Sequence, residues 1–503
     1  MVRLLGIDIG TSGTKTVLFD EGGNELFSHL FEYEMMQPKN GWAEQDPDDW
    51  WHATISGIKT VLEKSGKTEI SGIGLSGQMH GLVMLDENGK VLRPSIIWCD
   101  QRTKEEAEDI KNILGEKKVI EITANPVMTS FTAAKILWVK KNEPEIYKKC
   151  KHILLPKDYI RYKLTGDFAT EVSDASGMQL MNVSERGWSD EMLKALGIDK
   201  NLLGKMHESQ DVTGKTSYEI EKLTGLAEGT IVVGGAGDNP AAAIGTGVYK
   251  EGDAFLTVGT SAVLYAVSDK LKIDLKGRVH SLCASVPGKW TIMSCTQAAG
   301  LSLRWLRDNI CTEEVLTAKK RGVDPYEIIC DEANKINIGS DNLIYLPYLM
   351  GERSPHPDPN ARGVFFGLSG FHKRANLIRS VMEGVAFSQL ECINVFRKMG
   401  VPAFDITITG GGGRSLLWRQ MFADLFRCPF SIITNDQGGA LGAAILAGVG
   451  TGVYTDIENA CKKIVHRKDK ILPNLENSIK YEKFFNLYTK LYLDLKEDFQ
   501  LLK

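Results

Sequence analysis

No stretch of this chain approaches the ~18 consecutive apolar residues that a membrane span requires. The opening Met1-Val2-Arg3-Leu4-Leu5-Gly6-Ile7-Asp8 lacks the apolar core of a secretory signal, because Gly6 and Asp8 interrupt it. Neither sign of charge dominates: 60 Lys+Arg stand against 64 Asp+Glu, a net charge of −4. With no basic tail, that balance argues against nucleic acid or an anionic membrane as the main partner. The nine cysteines (Cys99, Cys150, Cys283, Cys295, Cys311, Cys330, Cys392, Cys428 and Cys461) are odd in number and scattered singly, with no C-x-x-C pair. Reduced thiols in a cytoplasmic protein fit this pattern better than disulfides or structural zinc. The histidines are too dispersed for a zinc site, and neither H-x-x-E-H nor the G-x-S-x-G elbow occurs. At the N-terminal glycine loop both G-x-x-x-x-G-K-[ST] and G-x-G-x-x-G are missing, so the Walker and Rossmann readings lose their support.

What the chain does have is an ordinary globular balance of 43% apolar and 25% charged residues, which excludes wholesale disorder. At 503 residues, two or three domains are expected rather than one core. Glycine alone stands out, at 50 residues, about 10% against a usual ~7%. Strand-like and helix-like stretches alternate throughout, the pattern of an α/β protein. Residues 4–9 and 16–19 read as strands joined by a Gly/Thr/Ser turn, and Glu21-Gly22-Gly23-Asn24 adds a hairpin signal. Asp46-Pro47 with acids behind it predicts a helix from there to about Lys64, with Asp46 as N-cap and Pro47 in the first turn. Strands are expected at 70–75, 82–85 and 96–98, and helices at 101–110 and 132–141.

The most informative feature is an internal echo. Leu5 to Ser12 (LGIDIGTS) is mirrored by Phe255 to Ser261 (FLTVGTS): an apolar strand, Gly-Thr-Ser, then a second apolar strand. About half a chain separates the copies, which points to two related domains with a cleft, and the Gly/Ala-rich stretch 234–247 between them reads as a hinge. In the first copy, Gly10, Thr11, Ser12 and Lys15 offer backbone N–H groups, hydroxyls and a cation to a phosphate, and Asp8 stands where a phosphate-bound Mg²⁺ wants a carboxylate. A turn built of small residues for geometry alone would look similar; the second copy, Gly259-Thr260-Ser261, favours a two-loop phosphate clamp.

Four successive glycines follow the strand-like Asp405 to Thr409, then Arg414 and a helix. Four in a row have no evident packing use and suit a flat ring or a phosphate lying on bare backbone. Gly442 and Ala443, in a small-residue helix downstream, are expected to pack closely beside that loop. Asp238, in Gly234-Gly235-Ala236-Gly237-Asp238-Asn239-Pro240, is an isolated carboxylate after an apolar strand at 230–233. Such a group can accept the proton of an attacking hydroxyl in phosphoryl transfer, and an Asx-turn or helix cap is the competing reading. Gly77-Gln78-Met79-His80-Gly81 offers polar atoms for sugar hydroxyls, although a lone His is often structural. Trp98 ends another strand, and ring stacking on a sugar and core packing stand level for it.

These residues resemble the FGGY carbohydrate kinases, of the actin/Hsp70/sugar-kinase superfamily, from about residue 3 to about 450. Ser130, Thr132, Lys135, Ile136, Trp138, Val139, Lys141 and Asn142 fit the family's first signature. Gly363, Phe365, Gly367, Leu368, Asn376, Leu377, Ser380, Val381, Met382 and Glu383 fit the second. Gly-Gln-Met-His-Gly, Trp42 to Pro47, Leu155 to Tyr159 and Gly351 to His356 resemble the family's ketopentose branch; glycerol kinases carry Arg-Glu in place of Met79-His80. The resemblance implies two ribonuclease H-like α/β domains around a central cleft, at residues 1–245 (sugar side, first phosphate loop) and 246–503 (second phosphate and adenosine loops). It also implies ATP with Mg²⁺ as cofactors, a small-molecule sugar as substrate, a cytoplasmic enzyme, and no nucleic-acid or membrane partner; a homodimer is left open. By matching motif, Asp238 is the expected catalytic base, and Asp8 the acid near metal and phosphates. Gln78, Met79, His80, Trp98 and Asn239 are expected to bind the sugar. Thr11, Ser12, Lys15, Gly259, Thr260, Gly411, Gly412 and Arg414 are expected to bind ATP. Pro240 departs from the usual small residue and leaves the sugar contact of Asn239 open.

Overall fold

The computed structural model describes residues 2–66, 69–435 and 437–502. The chain forms two compact units, each assembled from separated segments. The first comprises Met1–Lys250, Val267–Thr291 and Asn435–His466; the second comprises Glu251–Ala266, Ile292–Thr434 and Arg467–Lys503.

The first unit is built on a mixed sheet in the order Val212–Lys215, Ile231–Val233, Gly72–Gly77, Arg3–Ile9, Gly13–Asp20, Glu25–Glu32. Arg3–Ile9 pairs antiparallel with Gly13–Asp20 and parallel with Gly72–Gly77, and the short strand Ala236–Gly237 extends the parallel set beside Gly72–Gly77. Alternation along Arg3–Ile9 decides what covers each face. Leu5, Ile7 and Ile9 point into a core shared with Trp50, Ile58 and Val61 of the helix Pro47–Lys64. That helix starts as its sequence demands: the Asp46 carboxylate accepts from the Asp48 N–H at 3.0 Å, with Pro47 in the first turn.

The opposite face, with Leu4, Val17 and Phe19, packs on the small-residue helix Gly438–Gly450. Gly6 and Gly74, register partners on that face, leave no room for a side chain. A Cβ would lie 2.0 Å from the Ala440 carbonyl oxygen at Gly6, and 1.8 Å from that of Ala443 at Gly74. The close packing expected of Gly442 and Ala443 is therefore present, but its partners are these strands and the helix Asp238–Gly245 rather than the glycine loop upstream. The stretch 234–247, expected to be a hinge, contains a strand and that packed helix: Ala236, Ala241 and Ile244 are buried in the same core.

In the second unit the strand order is Trp290–Thr296, Ala262–Ser268, Gly252–Val258, Ala403–Thr409, Phe430–Ile433, Arg467–Ile471. Gly252–Val258 pairs antiparallel with Ala262–Ser268 and parallel with Ala403–Thr409. This repeats the arrangement around Arg3–Ile9, so the sequence echo is an echo of architecture. Helices Arg374–Lys398 and Leu475–Phe499 flank it. Glu383 of the second signature is structural: it accepts from the Gly339 N–H (3.1 Å), the Ser340 hydroxyl (2.9 Å) and the Arg379 guanidinium (2.8 Å). Among the described residues no helix is long and apolar enough to cross a membrane.

Candidate functional site

In the first unit three adjacent parallel strands end together: Ile9 is level with Gly77, and Gly77 with Gly237. The carboxyl ends of parallel strands are where open α/β sheets bind ligands. The residues that emerge there are Asp8 and the turn after it, Gln78-Met79-His80, and Asp238. The register brings Asp8 beside Ser76, whose hydroxyl donates to Asp8 Oδ1 at 2.7 Å. The N-terminal end of the helix Gly438–Gly450 lies against the same group, so close that a Cβ on Gly439 would be 3.2 Å from Asp8 Oδ1. Burial raises the Asp8 carboxyl above its ordinary range, opposed by the Ser76 hydrogen bond and the Lys15 charge.

Asp238 opens the helix Asp238–Gly245, and its Oδ1 accepts from the Asn239 backbone N–H (2.7 Å) and side-chain amide (2.9 Å). Desolvation first, and the charge of Asp8 second, push its carboxyl up to about 7. A carboxylate poised near neutrality beside a second acid is what a general base in phosphoryl transfer needs. The same two oxygen donors suit Mg²⁺, a hard cation usually held by one or two carboxylates plus phosphate and water. Among the described residues no cluster of three or more His, Cys, Asp or Glu forms an all-protein metal cage.

The other expected residues are placed as follows. Lys15 pairs across the hairpin with Asp8, and its ammonium donates to the Gln437 side chain. The Thr11 hydroxyl accepts from the Trp98 indole N–H at 2.9 Å, so Trp98 braces the first loop; Ser12 is exposed. Gln78 is buried, donating to Gln45 Oε1 at 2.8 Å, while Gln45 donates to the Thr11 carbonyl at 2.7 Å. Met79 is buried and His80 half-buried; His80 Nδ1 lies 2.9 Å from the Gly177 carbonyl. The Asn239 side chain is engaged with Asp238.

In the second unit, a cavity of about 1080 Å³ collects Gly259, Thr260, Gly411, Gly412 and Arg414 on one wall set, with Arg304, Tyr326, Cys330 and Trp418 completing it. The Thr260 carbonyl accepts from the N–H groups of Ala299 (3.0 Å) and Leu301 (3.1 Å), which fixes the Gly-Thr turn while its side chain stays exposed. The four-glycine run corrects one expectation. Gly411 faces open space, but a Cβ on Gly410 would lie 2.7 Å from the Val258 carbonyl, and one on Gly412 2.5 Å from Val258 Cγ1. Two of the four glycines therefore do serve packing.

Sequence reasoning missed the ionic network behind the first site. Lys157, fully buried, lies 2.8 Å from Asp158 and 3.3 Å from both Glu171 and Asp174, with Arg161 beside Asp158. Burial pushes the Asp174 carboxyl well up, opposed by the charge of Lys157. Glu171 accepts from the Ser173 hydroxyl at 2.9 Å, and Ser173 Oγ accepts from the Gly237 N–H at 3.3 Å, one residue before Asp238. The only trace in the sequence was the Leu155 to Tyr159 motif, which does not say that its charges are internal.

Family models for the FGGY family of carbohydrate kinases match the chain in two parts, the N-terminal domain at residues 3–245 and the C-terminal domain at 254–451. The chain is 36% identical to xylulose kinase from Bacillus subtilis strain 168 over 499 residues, covering 99% of this chain and 98% of that one. It is 32% identical to gluconokinase from Bacillus licheniformis over 497 residues, covering 99% and 96%. The solved ligand-bound xylulose kinase from Lactobacillus acidophilus is similar with a TM-score of 0.94 at 28% identity, covering all of both chains. With the same fold, the same signatures in place and relatives over its whole length, this chain belongs to the FGGY family of carbohydrate kinases.

Proposed function

We propose that the chain transfers the γ-phosphate of ATP to the 5-hydroxyl of D-xylulose, giving D-xylulose 5-phosphate and ADP. The observation that carries the chemistry is Asp238: a carboxyl brought near neutrality by burial and by Asp8, at the common end of three parallel strands. The terminal hydroxyl of the sugar donates to Asp238 and loses its proton there as it attacks the γ-phosphorus. Asn239 holds that carboxylate oriented through two hydrogen bonds. Gln78, Met79 and His80 line the sugar, and Trp98, through Thr11, keeps the first loop shaped for phosphate. Asp8 would hold Mg²⁺, which when bound supplies positive charge to the phosphates. The cavity around Gly411 and Gly412 takes the nucleoside, and Gly259 and Thr260 take its phosphates. On this reading residues 1–245 form the sugar-side domain and 246–503 the nucleotide-side domain.

The choice of xylulose rests on relatives such as that of Bacillus subtilis. The gluconokinase relative, also similar over nearly its whole length, favours gluconate as the second reading. A coupled ADP-release assay with D-xylulose, D-ribulose, gluconate and glycerol separates them: the highest kcat/KM is expected for D-xylulose. Strongest turnover on gluconate would replace the substrate, and no sugar-stimulated ADP release at all would remove the kinase reading.

A further inference from the structure

His80 has a backbone that a β-carbon disfavours, with φ at +69°. A non-glycine residue in the left-handed region is strained and persists only where its surroundings hold it. The holders are residues of the family's first signature, which the proposed chemistry leaves without a task. Lys135, on the helix Thr132–Asn142, is fully buried, and its ammonium donates to two carbonyls, those of His80 and Ser130, both at 2.7 Å. The hydroxyl of Thr132, one turn earlier, donates to the same His80 carbonyl at 3.2 Å. Phe131 lies against the imidazole with ring centroids 4.7 Å apart. Space is kept clear on the far side: a Cβ on Gly177 would lie 2.3 Å from His80 Nδ1.

A lysine with no exposed surface, donating to main-chain carbonyls and within reach of few opposite charges, is costly to bury. Desolvation pulls its ammonium down to about 7, with Asp100 the largest opposing charge. Packing alone would be met better by Leu or Met at this helix position, so a lysine here has to do something a hydrocarbon cannot. What it does in this fold is hold one peptide unit.

We propose that Lys135 and Thr132 are positioning residues for the sugar subsite: together they clamp the His80 carbonyl, fix the left-handed turn there, and so set the direction in which the His80 imidazole meets the sugar. This rests on the reading of His80 as a sugar contact. The clamp acts on sugar affinity through His80 and on nothing at the nucleotide side.

The test is a double-mutant cycle on the full chain with Mg-ATP, using Thr132→Ala, His80→Ala and the double variant, each measured for sugar KM, ATP KM, kcat and Tm. Thr132→Ala is expected to raise the D-xylulose KM about three- to ten-fold, the factor carried by one neutral hydrogen bond, with ATP KM unchanged. In the His80→Ala background the same change is expected to add nothing, because its effect passes through His80. Lys135→Met is expected to raise sugar KM further than Thr132→Ala; should it fail to fold, Thr132→Ala carries the test. An unaltered sugar KM in Thr132→Ala overturns the clamp. So does additivity in the double variant, or an equal rise in the KM for sugar and for ATP. If His80→Ala itself leaves sugar KM unchanged, the sugar-contact reading beneath the proposal falls, which is a separate result from failure of the clamp.

Discussion

Replacing Asp238 by Asn removes a charge while keeping its local hydrogen bonds, since the amide oxygen can still accept from Asn239 N–H and Nδ2–H. Two opposite consequences follow. As a general base Asp238 contributes roughly 10²- to 10⁴-fold, so kcat should fall by that factor. As a carboxylate forced to ionise beside Asp8 it is a stability burden. Its carboxyl titrates at about 7 in the fold and near 3.8 in the unfolded chain. The folded state therefore holds the proton through that window, and stability declines as pH rises from about 4 to about 7. The full cost above pH 7 has a ceiling of ~4 kcal/mol. Water reaching this half-buried side chain lowers it to roughly 1–2 kcal/mol. Asp238→Asn should thus melt higher than the parent, by about 2–4 °C per kcal/mol, at pH 8 in EDTA, with the gain vanishing near pH 4. Differential scanning calorimetry at several pH values, paired with ADP release, reads both effects. A variant with near-normal kcat refutes the base; one melting at or below the parent at pH 8 refutes the electrostatic account.

Other outcomes follow from the same geometry. The sugar kcat/KM should climb about tenfold per pH unit below about 7 and level off above it, because only the ionised Asp238 accepts a proton; a profile flat from pH 5.5 to 8 contradicts this. Gly74→Val should abolish soluble expression or lower Tm by well over 10 °C, since its Cβ alone would stand 1.8 Å from the Ala443 carbonyl; a wild-type melt would mean the helix and sheet separate easily. Lys157→Met should destabilise by about 3–5 kcal/mol by stranding buried acids, read as a shift in urea midpoint; a loss under 1 kcal/mol would show that the network is not held by its lysine.

Features carried by neighbouring residues were legible in the sequence. The Asp46-Pro47 start placed the helix Pro47–Lys64, and the Gly-Thr-Ser turns placed two antiparallel pairs. The helical pattern at 132–141 placed a helix within one residue of Thr132–Asn142. What stayed hidden depends on distant partners. Gly410 and Gly412 look like bare backbone until Val258 is seen against them. Lys135 has the polarity of a surface helix residue, and only the fold reveals that its ammonium ends on His80. The residues 234–247 have the composition of a linker because close helix packing and flexibility select the same small side chains.

The helix that covers Gly6 and Gly74 lies some 360 residues downstream of the later of the two. A ribosome that has finished residue 245, the end of the N-terminal family match, has about 200 residues still to make before Gly450 is added. At ordinary elongation rates of ~5–20 residues per second that is a delay of roughly 10–40 s. Throughout it the first sheet presents Leu4, Val17 and Phe19 without the Gly438–Gly450 residues that complete their core. A fragment cut at residue 245 is therefore expected to aggregate where the full chain does not, because it lacks the helix Gly438–Gly450 that packs on Gly6 and Gly74.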